Sequence, residues 1–182
     1  VAHGHTNAER QADLGVAREA AMIEAVTTRI EREEGAAPQG WMGPWVNESA
    51  RTPEILAQLG YRYVMDWMMD DQPIALRTEA GPLIAVPYAR PTNDITLLHG
   101  AKWTPREWVD ALIDQFDEML LQSREQPLVF NLSLHPYLMH GFRLRQLRRF
   151  FEHLDRCRDQ VWVTTAGRIA EAASPQLLRG VA

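Results

Sequence analysis

The 182-residue chain carries 19 Lys and Arg against 24 Asp and Glu, a formal net charge of −5. No block of basic residues is interleaved with aromatics, which excludes a nucleic-acid surface as the expected partner. A hydrophobic content of 46% suits one globular domain over residues 1–182, long enough to bury a core.

The single cysteine, Cys157, rules out an intramolecular disulfide framework and fits a reducing compartment. No apolar run reaches membrane-spanning length, so the expectation is a cytoplasmic protein with no membrane partner, and a homo-oligomer is left open. The one basic cluster, Arg143, Arg145, Arg148 and Arg149, lies on a helical pattern and reads as a solvated face with one or two anion contacts.

In chain order, Val1 to Asn7 suits the end of a strand running into a loop. Ala8 to Glu34 is helical, with Leu14, Ala17, Ala21, Ala25 and Thr28 able to share one face and Met22, Val26 and Ile30 another. Gly35 closes that helix and Pro38 prevents its resumption. Gly40 to Trp45 is rich in Gly and Pro and reads as a loop bearing Trp41 and Trp45.

Thr52 and Pro53 open a short helix through Leu59, stopped by Gly60. Tyr61 to Met65 is a β-type run that delivers Asp66, and Ile74–Arg77 with Leu83–Val86 forms a hairpin. Thr104, Pro105 and Glu107 spell a helix start, with a buried stripe of Leu112, Phe116, Met119 and Leu120 and an end near Gln126. Leu128 to Leu134 predicts a strand buried on both faces with His135 at its end. A helix over Arg143–Arg158, a strand at Val161–Val163 and a helix over Ala166–Ala173 complete the chain.

Strands alternate with helices, and the titratable residues gather at strand C-termini, where parallel α/β proteins bind ligands. The class is α/β, and periodicity alone leaves barrel and open sheet as alternatives. Four places combine such an address with chemistry.

His135 stands where an imidazole can donate or accept a proton, against the alternative of a His bonded to a loop carbonyl. His3 and His5, two apart on an extended segment, project to one side and could share a metal, but a catalytic zinc needs a third ligand. Asp66, Asp70 and Asp71 follow a strand end beside Trp and Met side chains, a setting for acid–base work or, alternatively, for turn chemistry. Trp41 and Trp45 suit the wall of a site or the cover of a barrel end.

Taken in order, the segments Ala2-His3-Gly4-His5-Thr6-Asn7, Ala36-Ala37-Pro38-Gln39-Gly40, Met65-Asp66-Trp67 and Leu132-Ser133-Leu134-His135 resemble the motif series of the polysaccharide deacetylase superfamily. Pro38 to Trp41, Asp70 to Pro73, Val86 to Tyr88 with Asn93-Asp94, and Leu134-His135 are most similar to its metal-independent, allantoinase-like branch. The resemblance covers nearly the whole chain and departs from the pattern twice. Asn7 stands where the second metal-ligand His would fall, and Ala36 replaces the Arg of the third motif.

The resemblance implies a deformed (β/α) barrel whose first strand and Asp-rich motif precede Val1, so that this chain is expected to be about the C-terminal two-thirds of such a barrel. It implies a hydrolase of non-peptide C–N amide bonds, acting on a small ureide, a cyclic amide or an N-acetyl group, with a small-molecule or carbohydrate substrate and no cofactor. His135, His3 and Asp66 would be catalytic, with an upstream Asp as base. Trp41, Asp70, Asp71, Asn93, Asp94, Arg143 and Arg145 would bind substrate. Two alternatives stand beside it: a zinc-dependent carbohydrate N-deacetylase using His3 and His5, and a non-catalytic ligand-binding barrel remnant.

Overall fold

The computed structural model describes residues 1–180, and the chain divides into two compact units. One holds Val1–Pro87 and the chain from Thr165 onward, and the other holds Tyr88–Thr164.

In the first unit, helix α1 spans Val16–Glu34. It starts later than its pattern predicts because Gly15, at φ 74°, lies outside helical space, and a separate 3-10 turn at Gln11–Asp13 precedes it. Gly35, at φ 77°, closes it in the left-handed conformation expected of a helix-ending glycine. The buried face is Glu19, Met22, Ile23 and Val26, whereas Ala17, Ala21, Ala25 and Thr28 are exposed. Of the two faces open from spacing, the one with larger apolar side chains takes the core, since burial scales with area.

Four short strands form the sheet of this unit: β1 Gly40–Trp41, β2 Tyr63–Val64, β3 Ile74–Leu76 and β4 Leu83–Ala85. They lie in the order β1-β2-β4-β3, with β1, β2 and β4 parallel and β3 antiparallel on β4. The predicted β3–β4 hairpin is present, and Ala2 bridges Trp41 in parallel beyond β1.

The segment expected as a loop at Gly40 is therefore a strand. Gly40 pairs with Tyr63, and a Cβ there would lie 2.1 Å from the Tyr63 ring, so only glycine lets the two strands approach. Val64, Leu83 and Ala85 face the core formed with α1 and with α2 (Thr52–Gln58), while Tyr63, Ile84 and Val86 pack against α5 (Ala166–Leu177). The alternation buries both faces of the sheet.

The second unit is mainly helical. A π-helical turn at Ile95–Gly100, which spacing did not reveal, precedes α3 (Pro105–Gln122), and α4 spans Phe142–Arg156. The predicted capping box is made: Thr104 accepts from the Glu107 amide, and the Glu107 carboxylate accepts from the Thr104 amide. Trp108, Leu112 and Phe116 of α3 pack with Leu147 and Phe150 of α4, and Phe116 meets Phe130 and Phe150 edge-on at 5.7 and 6.0 Å.

The strands expected at 128–134 and 161–163 are not formed as ladders. Ser133 makes an isolated parallel bridge to Asn93, residues 128–132 are half-buried rather than enclosed, and Trp162 is 60% exposed. Apolar composition supplied the expectation, but a ladder needs a neighbouring strand as well. The result is a mixed α/β protein whose four-stranded sheet among the described residues does not close into a barrel.

Candidate functional site

In the second unit, His135 ends the extended segment after Pro127 and is held from two directions by one carboxylate. The His135 backbone amide donates to Asp94 Oδ2 at 2.7 Å, and ring Nδ1 meets Asp94 Oδ1 at 2.5 Å. The Asp94 side chain is 0% exposed and that of His135 29% exposed, so the acid is sealed behind an imidazole that still reaches solvent. A carboxylate can only accept at Nδ1, which fixes the proton there and leaves Nε2 as the working atom. The Tyr137 ring lies 5.6 Å from the imidazole.

The scaffold beneath this pair is a chain of short-range polar links. The Asp94 amide donates to Ser133 O at 3.2 Å, and Asn131 Nδ2 donates to Ser133 Oγ at 2.9 Å. Asn131 Oδ1 accepts from the Ala89 amide. Asn93 Oδ1 accepts from the Ile95 and Thr96 amides and caps the π-helical turn.

Asn93 and Asp94 were expected to hydrogen-bond a substrate. Asn93 is buried with its carbonyl on the helix, and both Asp94 oxygens are engaged by His135. Arg143 donates from one terminal nitrogen to Leu138 O at 3.0 Å and lies against the Phe142 ring. Arg145 is exposed.

In the first unit, Asp66 follows β2, and both its oxygens accept from the Gly43 amide, at 3.0 and 2.8 Å. The turn that follows requires glycine: a Cβ on Gly43 would lie 2.6 Å from Asn47 O. Burial pushes the Asp66 carboxyl upward, opposed by a hydrogen bond with Glu48, the Gly43 amide and the nearby His3.

Glu48 carries no motif or periodic signal, and sequence reasoning passed over it. Burial first, then the charge of Asp66 and the hydrogen bond with it, push the Glu48 carboxyl up to about 10, while a hydrogen bond from Trp67 Nε1 (2.5 Å) pulls the other way. Between Gly43 and Glu48 the chain turns through Trp45 (φ 66°) and Val46 (φ 52°), and Trp45, 61% exposed, donates from Nε1 to Asn7 O at 2.6 Å.

The remaining expected residues of this unit separate into three fates. Trp41 is 0% exposed and donates from Nε1 to Gln11 Oε1 at 3.1 Å, so it is core and offers no wall to a ligand; the aromatic on the surface is Trp45. Asp70 and Asp71 are exposed, and Asp70 Oδ1 accepts from the Asp71 amide at 2.7 Å, which is the turn chemistry that stood as their alternative. His3 Nδ1 donates to Met42 O at 2.6 Å, leaving its Nε2 free, and His5 Nδ1 lies 4.0 Å from Glu9.

His3 and His5 do not converge with a third donor: among the described residues no group of three His, Cys, Asp or Glu is placed to share a metal. With an amide at Asn7 in place of a further imidazole, the donor set present does not fit a zinc site. No helix among the described residues is long and apolar enough to cross a membrane.

No family model and no curated protein matches the sequence. Solved structures do match. A protein assigned as a polysaccharide deacetylase from Mycobacterium smegmatis is similar at TM-score 0.79 and 24% identity, over 96% of this chain and 62% of its own. The Puue allantoinase is similar at TM-score 0.84 and 23% identity, over 95% of this chain and 58% of its own. A protein assigned as a polysaccharide deacetylase from Pseudomonas aeruginosa PAO1 is similar at TM-score 0.84 and 21% identity, over 96% of this chain and 58% of its own. The chain thus shares the fold of these structures, and it spans about three-fifths of their length.

Proposed function

We propose, from this shared fold and the His135–Asp94 pair, that the parent protein hydrolyses a non-peptide C–N amide bond without a metal. The observation that carries the proposal is the buried Asp94 carboxylate, whose two oxygens grip the amide and ring of one histidine. That grip sets the tautomer and aims Nε2 outward, the arrangement a proton-transfer group needs. Protonated, Nε2–H can polarise the substrate carbonyl or deliver its proton to the departing nitrogen as the tetrahedral adduct collapses. Breaking the C–N bond then releases a neutral amine or amide nitrogen and a carboxyl product, with water supplying the added oxygen and hydrogens.

The motif order supports roles for His3 and Asp66 in orienting water or substrate. The His3 ring, anchored through Nδ1 on Met42 O, and the Asp66 carboxylate near it are compatible with such roles. The exposed guanidinium of Arg145 remains available for an anionic substrate group. A ureide, a cyclic amide and an N-acetyl sugar are the substrates to try, with names among the structural neighbours pointing to the first and last.

The test is turnover of that panel by the full-length parent with and without His135→Ala, alongside metal analysis. Turnover that survives chelation and is lost in His135→Ala is expected. Stoichiometric zinc with chelator-sensitive turnover would remove the metal-free reading, and turnover untouched by His135→Ala would remove the site. An intact, folded parent that turns over nothing in the panel would favour a ligand-binding protein.

A further inference from the structure

Glu48 presents a hydrogen-bonding contradiction that the proposed chemistry does not use. Its Oε2 accepts from Trp67 Nε1, but its Oε1 is buried and meets no donor, although the Asp66 carboxyl is within hydrogen-bond reach. Two neighbouring carboxylates without an intervening cation repel, and a buried oxygen left without a donor is destabilising.

The charged groups around Glu48 make matters worse rather than better: Asp66 from the end of β2 and Glu19 from α1 are both acidic. The cation of the neighbourhood, His3 when protonated, faces Asp66. Glu19 has its own donors in Gln11, Ser49 and Thr52 and offers Glu48 none. One proton on Glu48 Oε1 resolves every conflict at once. It gives Oε1 a role as donor, gives Asp66 an acceptor's share beyond the Gly43 amide, and leaves a single negative charge on the pair.

We propose that Glu48 is a neutral acid that donates a hydrogen bond from Oε1 to Asp66, and that it is the positioning residue holding Asp66 on the Gly43 amide. Asp66 then stays charged and fixed, which is what a water- or substrate-orienting role would require of it. The protonation claim itself is independent of that role and of the reaction class.

The upward push on the Glu48 carboxyl supplies the test, because it links to stability. A carboxyl whose folded value lies above its unfolded value contributes most below the unfolded value and loses that contribution as pH rises toward the folded value. The window therefore runs from about 4.5 up to about 10. Glu48→Gln cannot ionise and can present Nε2 to Asp66 and its carbonyl to Trp67.

Thermal unfolding of wild type and Glu48→Gln across this window should show a Tm difference that shifts steadily in favour of the glutamine variant as pH rises. A protonated-carboxyl C=O stretch in the infrared should be present in wild type at neutral pH and absent from Glu48→Gln. Glu48→Ala, which removes both hydrogen bonds, should be less stable than Glu48→Gln at each pH. A Tm difference flat above about pH 6, the behaviour of an ordinary surface glutamate, or an unchanged infrared band, would overturn the proposal.

Discussion

Each unit sets a carboxylate against a second titratable group, Asp94 fully buried and Asp66 half-buried, and they differ in what that carboxylate is given as a partner. In the second unit Asp94 faces an imidazole, so the proton between them sits on a base that has a second nitrogen to offer. In the first unit Asp66 faces another acid, Glu48, and the proton between them has nowhere further to go. On the roles proposed above, the same group would support proton transfer in one setting and orientation in the other. What decides is the partner's capacity to pass a proton on, and burial alone does not.

The sharpest way to break this contrast is Asp94→Asn. The amide keeps the shape but no longer compels Nδ1 to carry the proton, so kcat/KM on any amide substrate of the parent should fall by on the order of 100- to 10,000-fold, mainly through kcat. Steady-state kinetics would check it, and a wild-type kcat would return Asp94 to a structural role. Gly40→Ala asks what fixes the first unit. Its added Cβ would meet the Tyr63 ring at 2.1 Å, so the variant should lose about 1–3 kcal/mol in denaturant unfolding. Smallest of all should be Asp70→Asn with Asp71→Asn, expected to change stability by no more than about 0.5 kcal/mol. Turnover should be unchanged, because both acids are exposed at a turn.

Legibility in the sequence followed the range of the interaction that fixes each element. The capping box at Thr104, the hairpin around Gly81 and the stop at Gly35 are local, and spacing revealed them. The strand at Gly40 was hidden because its glycine serves a ring 23 residues later in the chain, at Tyr63, rather than a turn. Residues 128–134 were read as a strand from composition, although only Ser133 finds a pairing partner. The address of His135 at the end of an apolar run is legible in the sequence, and its bond to Asp94 is not. A sequence shows that Asp94 is acidic but not which way its oxygens turn. Glu48 was missed altogether, since its importance comes from a neighbour across a fold and from no pattern of its own.

The turn through Trp45 and Val46 has a consequence for tuning the protein's heat resistance. Left-handed backbone costs on the order of 1–3 kcal/mol at a non-glycine residue, and a β-branched side chain such as valine tolerates it worst. Two such residues in succession, at φ 66° and 52°, act as a loaded spring beside the Gly43 amide that Asp66 grips. Position 46 is accordingly the place where a glycine would relieve the left-handed backbone, and where relaxing the loop would show how much tension the grip on Gly43 withstands.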